Sequence, residues 1–145
     1  MSGTRLNSFF ASQIRRDTEY ALRAILDLSV NSHEEFVKIS CIATRQRIPR
    51  GFLEAIITRL REDGLIDTRR GYEGGCRLAR TPDQITIGDI LGCVGRNNYP
   101  KRVSQFPFNM IWLDVDQSIS AIVDRITFAE LAERLRETSR QPDQG

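Results

Sequence analysis

The residues with the clearest chemistry in this chain are arginines. Between Arg45 and Arg80 nine Lys/Arg stand against five Asp/Glu, while the remainder carries twelve basic against fourteen acidic residues. A guanidinium presents a planar fork of donors that matches phosphate oxygens. Arg69, Arg70, Arg77 and Arg80 bracket a glycine-rich stretch, and Arg50 and Arg59 lie upstream of it around Glu54 and Thr58. The formal net charge is only +2, so the clustering of charge, more than its total, points to a polyanionic partner.

Other chemistry finds less support. The sequence has no phosphate-binding loop, no HExxH pair and no ordered nucleophile-base motif, so no enzyme is expected. Cys41, Cys76 and Cys93 form neither a CxxC pair nor an even framework. Reduced thiols in a cytoplasmic protein follow, each serving as a small apolar side chain. Direct thiol redox control is the alternative, with Arg77 or Arg96 favouring a thiolate. His33 sits in a polar stretch without a metal-ligand pattern, and no metal is expected. No window approaches the ~18 apolar residues of a membrane span, and Met1–Arg5 is not followed by a signal-like apolar run, so no membrane partner is expected.

The elements that would position the arginines follow from periodicity and punctuation. At 145 residues with 40% hydrophobic and 28% charged residues, the chain has room for one compact domain and an additional dimerisation element. Apolar residues from Phe9 to Val30 recur at helical spacing, and a polar break at Asn31–Glu35 precedes a short helix over Ile39–Thr44. Pro49 opens a helix over Arg50–Asp63, with Leu53, Ile56, Ile57 and Leu60 inward and Gly64 as its cap. Leu65–Arg69 and Cys76–Ala79 read as strands around the turn Gly71–Gly75. Thr86 and Asp89 mark a further helix start.

Gly92–Pro107 reads as a connector. Ile111, Val115, Ile119, Ile122 and Ile126 then repeat at spacings of four, four, three and four, forming a helical seam that Trp112 widens. Thr127 and Glu130 form a capping box for a final short helix through Leu131 and Leu135. The division predicted is 1–94 as a winged head, 95–110 as a connector, 111–138 as a dimerisation helix with a short C-terminal helix, and 139–145 as a flexible tail. The fold class is mainly α with a small two-stranded β wing.

Short helix, tight connection, second helix and hairpin together form a device that touches a duplex twice. The second helix enters the major groove while the hairpin reaches the backbone or minor groove. Arg50 and Gly51 would hold a phosphate at the helix start, Glu54 would accept from a cytosine amino group, and Thr58 and Arg59 would reach farther along the groove. Arg69, Arg70 and Arg77 would anchor the wing. The seam Ile111, Trp112, Val115, Ile119, Ile122 and Ile126 would join two chains, matching a palindromic double-stranded DNA site with a twofold homodimer.

The residues Tyr20–Leu28, Ile42-Ala43, Gln46–Pro49, Phe52–Glu54, Leu60-Arg61, Gly64–Ile66, Arg70–Ala79 and Ile85–Asp89 resemble the Rrf2 family of bacterial transcription regulators. The resemblance runs from about Leu6 to Val94 and resumes over Trp112–Leu135. It implies a winged helix-turn-helix, a dimerisation helix and a palindromic operator, with Glu54 at the base-reading position and Arg70 at the wing contact. Repression by occupancy is the function expected.

The sequence also departs from that pattern. Iron-sulfur members carry three closely spaced cysteines, often with a histidine, between head and dimerisation helix. Here Arg96–Ile111 holds neither residue type, and Asn109 stands where the histidine would be. Cys76 replaces a common wing tyrosine. The alternatives kept are a noncanonical iron-sulfur cluster on Cys93 with a non-cysteine ligand such as Glu19 from the partner chain, and a winged protein-interaction module that binds no specific DNA.

Overall fold

The computed structural model describes residues 15–31, 35–70, 75–95 and 105–140. The expectations for the start of the first helix before residue 15, for His33, for wing-tip residues 71–74, for connector residues 96–104 and for residues 141–145 lie outside these.

Among the described residues, seven helical segments and two strands follow in the order α1 (Arg16–Asn31), α2 (Ile39–Gln46), α3 (Arg50–Glu62), β1 (Ile66–Arg69), β2 (Gly75–Leu78), a 3-10 turn (Pro82–Gln84), α4 (Ile87–Val94), α5 (Phe108–Val123) and α6 (Phe128–Arg140). The apolar repeat of α3 does what its spacing dictates: Leu53, Ile56, Ile57 and Leu60 are buried against Ala21, Ala24, Ile25 and Leu28 of α1 and Ile42 of α2. Gly64, at φ 75°, ends this turn of chain in the left-handed region where glycine has no Cβ penalty. The antiparallel strands pair Ile66 with Leu78, Asp67 with Arg77, Thr68 with Cys76 and Arg69 with Gly75.

A two-stranded hairpin is marginal alone. Here Val37 adds a third edge, exchanging both backbone hydrogen bonds with Cys76 at 2.8 Å. A Cβ on Gly75 would overlap the Val37 carbonyl, so this close approach requires glycine at that position.

The helix start at Thr86 is a complete capping box. The Asp89 amide donates to Thr86 Oγ1 at 3.1 Å, and the Thr86 amide donates to Asp89 Oδ2 at 3.0 Å. Beside it, the Ile87 amide donates to the Ile126 carbonyl and the Phe128 amide to the Ile85 carbonyl, each at 2.9 Å. These bonds clip the start of α4 to the start of α6.

Several boundaries differ from those read in the sequence, beginning with the connector read as 95–110, whose last residues Phe108–Met110 already belong to the seam helix. The seam helix ends at Val123, so Ile126 is not on it; Asp124 and Arg125 form a turn, and Ile126 enters the clip to α4. α6 runs on through Ser139 and Arg140, past the 138/139 boundary at which the sequence places the start of the tail. α6 buries Phe128 and Ala132 and packs on α1. α5 has no buried residue, and Phe108, Met110, Ile111, Trp112, Leu113 and Ile122 are exposed along it.

Candidate nucleic-acid interface

The α2–α3 pair is held by a tight turn. Ile48 donates to the Ala43 carbonyl at 3.0 Å, and Arg47 takes φ 54°, a left-handed backbone that a side chain with a Cβ rarely adopts. Below the turn, the buried carboxylate of Asp27 on α1 fixes α2. Arg45 donates to it from Nε at 2.9 Å and from its terminal nitrogen at 2.6 Å, and Gln46 donates at 2.9 Å. The hydrogen bond to Asp27 raises the pKa of the Arg45 guanidinium above its ordinary value.

With α2 fixed, α3 turns its polar side out. Successive residues rotate by about 100° around a helix, so the face opposite Leu53 carries Gly51, Ala55, Thr58 and Glu62, all exposed. Glu54 lies toward one flank with Arg50 and Arg61. Arg50 Nε is 3.0 Å from Glu54 Oε1, and the two side chains are 68% and 51% exposed. An exposed helical pair of this kind contributes at most ~0.5 kcal/mol, so the Glu54 carboxylate is readily released to another donor. Thr58 Oγ1 donates back to the Glu54 carbonyl at 3.0 Å.

Arg59 occupies the other flank. Its guanidinium lies 3.5 Å from Asp17 at the start of α1, half-buried, which separates it from Arg50, Glu54 and Thr58. Its carbonyl accepts from the Cys93 thiol at 3.5 Å, tying the end of α4 to α3.

On the wing, Arg69 and Arg70 are exposed and Arg77 is half-exposed. Arg77 Nε lies 3.8 Å from Asp67, its partner across the strands. Arg80 reaches back toward Gly64 at the end of α3. The helix and hairpin thus place Arg50, Gly51, Glu54 and Thr58 on one element and Arg69, Arg70 and Arg77 on the next. Sequence reasoning missed Arg47 and Phe36. Arg47 is an exposed cation in the turn itself, visible only as one more arginine until its backbone conformation is known. Phe36 stands beneath the guanidinium groups of Arg69 and Arg77, at 5.7 and 4.5 Å from its ring centre.

The cysteines occupy separate elements. Cys41 is exposed on α2, Cys76 is buried in β2, and Cys93 is half-buried on α4. Burial, reinforced by the Asp27 carboxylate, pushes the Cys76 thiol up to about 12. Glu19 pairs with Arg23 at 3.3 Å. Among the described residues no three His, Cys, Asp or Glu side chains converge as a metal site. The described side chains of one chain therefore do not fit an iron-sulfur cage, which needs convergent ligands of suitable softness.

A helical pair joined by a tight turn, followed by a hairpin with a third bridging edge, defines a winged helix-turn-helix protein. The profile of the Rrf2 family, described as iron-dependent transcriptional regulator, matches residues 14–134, and the chain belongs to that family, whose members are regulators and not enzymes. Among solved structures it is similar to T. potens IscR, with 32% identity, TM-score 0.75, and 91% of this chain and 93% of the other covered. It is also similar to CymR, the global cysteine regulator of B. subtilis, with 26% identity, TM-score 0.70 and coverages of 83% and 96%. The HTH-type transcriptional regulator IscR of Erwinia tasmaniensis is 31% identical over 121 residues, covering 77% of this chain and 73% of that protein. Among the described residues no helix is long and apolar enough to cross a membrane.

Proposed function

We propose that the chain is a sequence-specific regulator that binds palindromic double-stranded DNA as a homodimer and represses by occupying its operator. The observation that carries this reading is the outward side of α3, where Arg50, Glu54, Thr58, Arg61 and Glu62 are exposed and which is anchored from behind by four buried apolar side chains, with exposed wing arginines beside it. Arg50 and the amides around Gly51 would meet a phosphate at the positive end of the helix. Glu54, once released from Arg50, would accept from a cytosine amino group, and Thr58 would contact the backbone or a base edge. Arg69, Arg70 and Arg77 would hold the phosphates on either side of the groove.

Dimerisation would use Ile111, Trp112, Val115, Ile119 and Ile122. α5 leaves these positions exposed or half-buried in the isolated chain, and such a helix is covered in a stable assembly. Ile126 would contribute only at the foot of that helix.

The test is a salt-controlled titration of a selected operator against a scrambled duplex. Arg70→Ala weakens operator and scrambled binding alike, because a phosphate contact carries no sequence information, whereas Glu54→Ala lowers the ratio between them. Equal wild-type affinities for the two duplexes would defeat the specificity claim. Retained dimerisation without any duplex binding would favour a protein-interaction module instead.

A further inference from the structure

We propose that Phe36 is a positioning residue for duplex binding, its ring holding Arg69 and Arg77 on the outward face of the wing, turned toward the phosphodiester backbone. The inference rests on the DNA-binding reading and adds to it a residue outside both the helix-turn-helix and the hairpin. Its basis is the register of the wing. Val37 pairs with Cys76, so Phe36 falls beside Arg77 and Arg77 beside Asp67, one row across three edges. Val37 and Cys76 point inward, Cys76 being buried and Val37 packed on the core, which turns the Phe36–Arg77–Asp67 row outward. Arg69 pairs with Gly75, and the missing side chain there lets the Arg69 guanidinium cross to the same ring.

Both guanidinium groups lie within the ~6 Å over which a cation is attracted to an aromatic face. Asp67, 3.8 Å from Arg77, holds the same group from the opposite edge of the row. An arginine free in solvent loses rotamer freedom when it binds a phosphate; one already stacked loses less, and stacking uses the face of the plane rather than its in-plane donors.

The experiment uses the full chain and a mixed-sequence duplex titrated over a salt series. Phe36→Leu keeps apolar bulk but removes the ring, and is expected to weaken binding about three- to tenfold at low salt, while Phe36→Trp restores it. In an Arg69→Ala/Arg77→Ala background, Phe36→Leu should produce no further loss. Wild-type affinity in Phe36→Leu would overturn the proposal, as would an equal loss in the double-alanine background. The Arg77 Nε–H resonance of the free protein supplies a second reading: a ring-current shift in the wild type that vanishes in Phe36→Leu supports the proposal, and its absence from the wild type contradicts it. Failure of the wild type to bind any duplex would strike the DNA-binding reading itself, separately from the role of Phe36.

Discussion

The Asp27–Arg45 pair predicts an asymmetry between two substitutions that remove the same interaction. The Asp27 side chain is 0% exposed and the Arg45 side chain 41% exposed. In Asp27→Ala, Arg45 loses its partner but can turn its guanidinium into water, and the cost is that of the lost charged hydrogen bonds, about 1–3 kcal/mol. In Arg45→Ala, a fully buried carboxylate keeps, among the described residues, Gln46 as its hydrogen-bond donor. Stranding one member of a buried pair costs roughly 3–5 kcal/mol. Arg45→Ala is therefore the more damaging change by about 2 kcal/mol, even though it removes the more exposed side chain. The double variant Asp27→Ala/Arg45→Ala should be more stable than Arg45→Ala alone, because the stranded charge is gone. Urea unfolding followed by far-UV circular dichroism, at one fixed protein concentration so that self-association does not confuse the comparison, measures all four proteins. If Asp27→Ala proved equal to or worse than Arg45→Ala, the reasoning from unequal burial would be wrong.

Three further outcomes are expected. Arg47→Gly relieves the left-handed backbone of the helix-turn-helix turn and should raise stability by up to ~1 kcal/mol; an unchanged or lower urea midpoint would contradict this. Cys76 should resist alkylation in the folded protein at neutral pH while Cys41 reacts, by mass spectrometry of peptides. Its thiol is raised from 9.0 to about 12, so the unfolded chain releases this proton first as pH rises between those values, and folding stability falls across that window. Cys76→Ala should flatten this alkaline decline. Ile122→Lys, on the exposed apolar side of α5, should yield a folded monomer by analytical ultracentrifugation at concentrations where the wild type is dimeric, and the same mass for both proteins would refute the α5 interface.

Much of the fold was legible because its signals are local. The three- and four-residue repeat of α3 buries the side chains it selected, and the Thr86/Asp89 cap forms as its spacing demands. What could not be read depends on contacts between distant residues. The repeat ending at Ile126 continues past the helix end because an apolar residue in a backbone clip looks the same as one on a helical seam. α6 has an apolar stripe that states what must be covered but not by what; α1 covers it. For the candidate site, residue type identified the basic segment, yet Arg59 and Arg50 are both surface-capable arginines until Asp17 engages one and Glu54 the other. Val37 forms a single bridge, too short for any alternation, and the aromatic neighbour of the wing arginines is invisible without it.

The return of α6 onto α1 makes the head a body assembled from both ends of the sequence, with α5 leaving and re-entering it. During synthesis, α6 emerges after the α1 core against which it seals Phe128. A fragment cut after Val94 would expose that apolar seat, so the residues before it do not make a complete core by themselves. The turn that ends α5 is tied by its backbone to the foot of α4, whose far end touches α3 through Cys93. The turn after α5 is thereby linked to α3 by a main-chain bond, the length of α4 and a thiol hydrogen bond.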